Sequence, residues 1–236
     1  MKRIAALAVI VGMFIGVSVG PNRAHAFQPQ LLTGILNKME KANQELKSLK
    51  ADLVLQKTNT QLSITDTEYG VLLYKPGAVK GKQRLRIDYT KPSKDIISVD
   101  GDNFTFYQPR INQAMKGVAS KLAKGKQGGF AQFISIGLSG SLKSTSGKYN
   151  VSFVKDETVN GVTASVLRLT PKAADLFTSV DIWVNQQNWL PVQIKGTERN
   201  GDYTVVAFRN PQVNAAISDS AFAVTLPAGT KIVDKF

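Results

Sequence analysis

Near the start of the chain, Leu31, Leu32, Ile35, Leu36, Met39, Ala42 and Leu46 fall three and four residues apart, with Lys38, Glu40, Lys41, Gln44, Glu45 and Lys47 between them. That period predicts an amphipathic helix of about five turns, from Pro29 to about Lys47, whose apolar stripe covers a core. Beyond it the period becomes two. Leu49, Ala51, Leu53 and Leu55 alternate with Lys50, Asp52, Val54 and Gln56. Tyr69, Val71 and Leu73 repeat the pattern, as do Leu85, Ile87 and Tyr89 against Arg84, Arg86 and Asp88. Ile97 with Val99 and Phe104 with Phe106 follow. Later come Val151 with Phe153, Val162-Ala164-Val166, Val180-Ile182-Val184, Leu190-Val192-Ile194 and Tyr203-Val205-Ala207. Turn signals at Asp100-Gly101-Asp102, Asn160-Gly161 and Asn200-Gly201-Asp202 join neighbours by links too short for parallel crossovers. The pattern predicts about ten strands in meander order. The expected fold is mainly β with α: one large curved antiparallel sheet forming an unclosed β-barrel covered by helices.

Residues 109–147 interrupt the meander with a Lys- and Gly-rich stretch followed by Phe130-Ala131-Gln132-Phe133-Ile134-Ser135-Ile136-Gly137-Leu138. Phe130, Phe133, Ile134 and Leu138 share one face of a short helix, which Gly137 and Gly140 weaken by about 1 kcal/mol each relative to Ala. Two arrangements fit: a movable cover, or a fixed helix plugging the open end of the barrel.

An antiparallel sheet with one apolar face must place that face against something. One good helix and one weak one leave two outcomes, a fully packed half-barrel or a residual hydrophobic cavity able to take a ligand. The candidate lining of such a cavity is Leu53, Leu55, Val71, Leu73, Leu85, Ile87, Tyr89, Ile97, Val99, Phe104 and Phe106 from the strands, with Phe130, Phe133 and Ile134 from the cover.

Composition narrows the chemistry. The 236 residues include no cysteine and one histidine, His25. Met1–Ala26 has the three parts of a secretory signal: Lys2 and Arg3, the apolar run Ile4–Val19, and the small-x-small site Ala24-His25-Ala26. The run is shorter than the roughly 20 residues a spanning helix needs. Residues 1–26 are therefore expected to be a signal peptide cleaved after Ala26, leaving 27–236 as one domain. Cleavage removes three positive charges, taking the formal charge from +13 to +10. It also removes His25, so the mature chain lacks the commonest general base and the commonest metal ligands. No Gly-x-Ser-x-Gly elbow is present. No catalytic residue and no metal site is expected. Gly125-Lys126-Gln127-Gly128-Gly129 lacks the Gly-Lys-Ser/Thr ending of a P-loop. Export also argues against nucleic acid as the partner of the basic surface.

Several segments, in order, resemble the outer-membrane lipoprotein carrier family (LolA). The opening helix and Ser48-Leu49-Lys50-Ala51-Asp52 are similar to its first helix and strand. Gly70-Val71-Leu72-Leu73-Tyr74-Lys75-Pro76 resembles a Gly-x-Leu-x-x-Arg/Lys-Pro strand, and Leu85-Arg86-Ile87-Asp88-Tyr89-Thr90-Lys91-Pro92 a Phe-Arg-Trp-x-Tyr-x-x-Pro segment. Residues 98–109, Ser-Val-Asp-Gly-Asp-Asn-Phe-Thr-Phe-Tyr-Gln-Pro, follow the family's Ser-Asp-Gly-x-x-x-Trp-x-Tyr-x-Pro stretch. Leu169-Thr170-Pro171-Lys172 and residues 220–233, Ser-Ala-Phe-Ala-Val-Thr-Leu-Pro-Ala-Gly-Thr-Lys-Ile-Val, are similar to its closing Leu-x-Pro-Lys and Phe-x-Phe-x-x-Pro-x-Gly-x-x-Val elements.

The resemblance implies a monomeric periplasmic carrier without cofactor. It would accept acylated lipoproteins from an inner-membrane lipoprotein-releasing ABC transporter and pass them to an outer-membrane lipoprotein receptor of the same fold. A family arginine before a proline holds the helical lid when the site is empty, and the matching position here is Lys75. The stretch from Lys75 to Leu85 is longer than the family's, so Arg84 or Arg86 is an alternative lid holder. The resemblance also admits a related periplasmic acyl-binding protein of the same fold: a receptor, a sensor, or a carrier of another lipid. A receptor is itself a lipoprotein, and the absence of cysteine argues against that role.

Overall fold

The computed structural model describes residues 24–77, 83–119, 134, 138, 142 and 146–234. Helix α1 (Ala24–Glu45) leads into β1 (Leu49–Asn59), β2 (Ile64–Lys75), β3 (Arg84–Lys91), β4 (Ile96–Asp100), β5 (Asn103–Gln108) and β6 (Gln113–Val118). A second run follows as β7 (Tyr149–Val159), β8 (Val162–Pro171), β9 (Phe177–Asn185), β10 (Pro191–Glu198) and β11 (Tyr203–Val213). After a 3-10 turn at Asp219–Phe222, the last described element is β12 (Lys231–Asp234).

All twelve strands form one sheet, in the order β12-β6-β5-β4-β3-β2-β1-β11-β10-β9-β8-β7. Its edges, β12 and β7, do not pair with each other, so the sheet is unclosed. The expected single meander is in fact two, β1–β6 and β7–β11, joined where β1 pairs antiparallel with β11. The two strands beyond the expected ten are β6 and β12. They pair in parallel, a non-local contact that no hairpin turn announces.

The hairpins obey their turn chemistry. Asn160 and Gly161 both have positive φ, 51° and 77°, which lets two residues reverse the chain between β7 and β8. Gly70 meets a different requirement. A Cβ there would stand 2.7 Å from the Asp88 carbonyl oxygen, and the β2–β3 register shifts at this point. Only glycine lets the two backbones approach so closely.

One face of the sheet carries the main core. Leu53 and Leu55 of β1, Leu72 and Tyr74 of β2, and Leu85 and Ile87 of β3 cluster with Leu167 and Leu169 of β8 and Ile182 of β9. Strands so far apart in the order reach one cluster only if the sheet curls, with this face inside. Ile35 and Met39 of α1, and Leu46 just after it, are buried in the same cluster, with Leu32, Leu36 and Ala42 packed beside them. Asn214 fixes the end of the helix: its Oδ1 accepts from the Lys47 backbone N–H at 2.7 Å, and its Nδ2 donates to the Glu45 carbonyl at 3.3 Å. The link from β6 to β7 joins opposite halves of the sheet. Its described residues Ile134, Leu138 and Leu142 are helical and buried in the inner cluster.

Three strands have the opposite parity to that expected. On β8 the inward residues are Leu167 and Leu169, while Ala164 and Val166 pack with Trp183 and Val192 on the outer face. On β2 the inward residues are Gly70, Leu72 and Tyr74, paired with Tyr89, Ile87 and Leu85, so Val71 and Leu73 face outward. On β11 the inward set is Thr204, Val206 and Phe208, not Tyr203, Val205 and Ala207. In all three places consecutive residues are apolar, and the pattern alone does not choose a face.

Candidate functional site

Away from α1, the inner face opens into a hollow of ≈ 300 Å³. It lies at the end of the sheet where β1, β3 and β10 finish and β9 and β11 begin. Ile97, Phe104 and Phe106 of β4 and β5 form one wall, and Leu176 and Phe177 form the other. β5 and β9 stand seven strand spacings apart in the sheet order. On a flat sheet that separation would be about 34 Å. The curl of the sheet therefore builds the hollow.

Its mouth is charged. Lys57, Glu68, Asp95 and Glu198 line it, with Thr204 and Tyr89. Lys57 continues the inward register of Leu49, Leu53 and Leu55, and Glu68 sits opposite Leu55 on the same face. Tyr89 is buried, and its hydroxyl is pushed well above the usual tyrosine range by burial first, with the charges of Glu68 and Asp95 adding to it. Two local networks hold the rim. Asp202, in the β10–β11 turn, accepts at Oδ1 from the Thr60 backbone N–H at 2.8 Å and from the Thr60 hydroxyl at 3.1 Å, tying that turn to the end of β1. The Thr60 N–H is also the main reason the Asp202 carboxyl lies below the usual carboxylate range. Across the mouth, Tyr149 donates to Asp175 Oδ2 at 2.8 Å, and Asp175 Oδ1 accepts from the Leu176 N–H at 2.7 Å, which orients the segment carrying Phe177.

The expected lining residues divide into four groups. Tyr89, Ile97, Phe104 and Phe106 line the hollow. Leu53, Leu55, Leu85, Ile87, Val99 and Ile134 belong to the same inner face but are packed against one another in the main cluster. Val71 and Leu73 are on the outer face, a correction that follows from the β2 parity. Phe130 and Phe133 lie outside the described residues. Leu176 and Phe177, which precede the expected Val180-Ile182-Val184 alternation, and the charged rim are not among the expected residues. Lys57 is within reach of the pattern, one alternation beyond Leu55.

The three expected lid holders are also corrected. Lys75, Arg84 and Arg86 all stand on the outer face, in register with Val71, Leu73, Asp88 and Asp100. There they clamp the segment around the 3-10 turn. Lys75 Nζ and Arg84 Nη1 each donate to Asp219 Oδ1 at 2.8 Å, and Arg84 Nε reaches Asp100 Oδ1 at 2.7 Å. Arg86 Nη1 donates to the carbonyl oxygens of Ala221 at 3.0 Å and Ala223 at 2.7 Å, while its Nε binds Asp88. Ser98 donates to the Phe222 carbonyl, and Phe222 is buried. The hydrogen bond from Lys75, then that from Arg84, holds the Asp219 carboxyl below its usual range. These cations fasten a C-terminal strap across the back of the sheet.

Among the described residues no group of His, Cys, Asp and Glu is placed to hold a metal ion. Among them, too, no helix is long and apolar enough to cross a membrane. The arrangement offers aromatic walls for an apolar group and charges at the entrance for a polar one.

Comparison with known proteins agrees with this architecture. The family model described as outer membrane lipoprotein carrier protein LolA matches residues 44–225. Uncharacterized protein MJ0687 of Methanocaldococcus jannaschii is 24% identical over 234 residues, 98% of this chain. This chain spans 59% of that relative's length. Among solved structures, an uncharacterized conserved protein from Thermus thermophilus has a TM-score of 0.54 at 10% identity, covering 87% of this chain and 100% of that one. A chain of the Pseudomonas aeruginosa MucA/MucB complex has a TM-score of 0.51 at 14% identity, covering 82% of this chain and 60% of that one. These two likenesses establish the fold.

Proposed function

We propose, from the premise that this chain belongs to the LolA family of outer membrane lipoprotein carriers, that it shelters the acyl chains of a lipidated ligand on the inner face of its sheet. The hollow walled by Phe104, Phe106 and Phe177 carries this reading, because it is apolar within and open to solvent at one end. The finer proposal is a periplasmic carrier, residues 27–236 after removal of a leader. It takes lipoproteins from an inner-membrane releasing transporter and delivers them to an outer-membrane receptor.

Energetics support a carrier whose site fills itself when empty. One acyl chain of about fifteen methylenes, at roughly 0.8 kcal/mol each, costs on the order of 12 kcal/mol to expose to water. A hollow of ≈ 300 Å³ is at the small end of ligand cavities. A full tail must therefore also take the place of Ile134, Leu138 and Leu142, which the core buries. Exposing three such side chains costs about 1.5–3 kcal/mol each. The tail wins by a modest margin, enough to bind and little enough to release.

A second reading, a carrier of another lipid on the same fold, draws on the outer-face positions of Lys75, Arg84 and Arg86. Their engagement with the C-terminal strap leaves none of the three free to latch a lid in the family's manner. Native mass spectrometry of the protein purified from an envelope extract tests both. Bound lipoprotein is the expected result, a co-purifying free lipid favours the second reading, and no acylated species under any condition contradicts both.

A further inference from the structure

The rim of the hollow and its walls make different demands on a ligand. Three carboxylates, Glu68, Asp95 and Glu198, face one ammonium, Lys57. This local acidic excess sits in a chain whose formal charge is +13. None of the four forms a salt bridge among the described residues. By contrast Lys75, Arg84, Arg86 and Arg168, on the outer face, are all paired with aspartates. Tyr89 adds an independent sign of a missing partner. It is 7% exposed, it lines the hollow beside Glu68 and Asp95, and its hydroxyl has no hydrogen-bond partner among the described residues. The Tyr89 hydroxyl opens on the hollow and can accept from an ammonium N–H, and an excess of carboxylates over ammonium at the mouth favours a positive charge there. A ligand with a cationic N–H donor meets both, donating to the hydroxyl oxygen and offsetting the carboxylates.

Resting on the reading of the hollow as an acyl site, we infer that it selects amphiphiles with a cationic head group, an ammonium on an apolar tail, over those headed by a carboxylate, sulfate or phosphate. The tail lies against Phe106 and Phe177, and the head stays at the mouth between Glu68, Asp95 and Glu198. The protein's overall positive charge works against this preference, so it isolates the effect of the rim.

The test is displacement of a fluorescent hydrophobic probe from the full chain by dodecylamine, dodecanoate and neutral dodecyl maltoside, each below its micelle concentration at pH 7. The expected result is that dodecylamine binds at least about tenfold more tightly than dodecanoate, the effect of one partly desolvated charge pair. Glu68→Gln combined with Glu198→Gln is expected to shrink that ratio toward one, with an unchanged melting temperature as the check on folding. Asp95→Asn, on the other side of Tyr89, is the second variant and moves the ratio in the same direction. Dodecanoate binding as tightly as the amine, or a ratio that survives in both variants, overturns the inference and leaves the acyl site standing. Failure of all three amphiphiles to displace the probe overturns the acyl site itself.

Discussion

Arg84 and Asp219 meet at 2.8 Å, Nη1 to Oδ1, on the face of the sheet that points away from the hollow. Lys75 reaches the same carboxylate oxygen at 2.8 Å, so one aspartate holds two cations and with them the C-terminal strap. Both cations lower the Asp219 carboxyl pKa in the folded state. A lowered carboxyl contributes stability above its ordinary value, about 3.9, and loses that contribution as pH falls through the folded value. The strap around 215–223 is therefore expected to lose amide-exchange protection, measured against the intrinsic rate at each pH, below about pH 4. In Asp219→Asn the acid-induced step at this segment should disappear. An identical acid response in the variant assigns the pH dependence elsewhere.

Arg86 separates the two roles considered for these cations. Its guanidinium donates to two strap carbonyls and to Asp88, and it is only partly exposed. Arg86→Leu removes charge-assisted hydrogen bonds worth about 1.5–3 kcal/mol each, so urea unfolding should shift by a few kcal/mol. Affinity for a hydrophobic probe on the opposite face should stay within a factor of two or so, since a change below about 0.4 kcal/mol is expected there. A lid holder would behave the other way round, with tighter probe binding and little loss of stability.

Gly70→Ala places a methyl 2.7 Å from the Asp88 carbonyl oxygen, against backbone that cannot swing away. The β2–β3 pairing must shift to admit it, and a loss of about 1–3 kcal/mol in chemical denaturation is expected. An unchanged midpoint shows that the shift at Tyr69 and Gly70 absorbs the methyl.

Ile134 is fully buried in the helical part of the β6–β7 link. Ile134→Ala should cost about 2–5 kcal/mol if the cavity stays empty. The same truncation weakens the competitor of an acyl tail, so probe affinity should rise while stability falls. Affinity and stability falling together mark Ile134 as structural only.

Much of this architecture is visible in the alternation of single strands. Leu49, Ala51, Leu53 and Leu55 give the inner face of β1 directly, and Leu85, Ile87 and Tyr89 give that of β3, because the other parity is mostly polar on β1 and charged on β3. The alternation fails at Val71-Leu72-Leu73-Tyr74, where both faces are apolar. The strap that covers the outer face nearby lies far away in the chain, and Glu68 and Gly70 rather than large apolar residues precede Leu72 in the inward set. The same distance hides the partners of Lys75, Arg84 and Arg86, since Asp219 and Ala221 carry no periodic signal. Phe104 and Phe106 identify one wall of the hollow. The opposite wall at Phe177 becomes its neighbour only through the curl across β1, β11 and β10.

Carriage of a lipidated ligand requires that an acyl tail occupy the inner face between the walls of β5 and β9. An acylated peptide bearing a photoactivatable diazirine near the end of its tail tests this most directly, with the cross-linked residues mapped by peptide mass spectrometry. Adducts at Phe104, Phe106 and Phe177, competed away by unlabelled acyl peptide, are the predicted result. Adducts confined to the outer face around Leu73 and the strap, or none that compete, would contradict it.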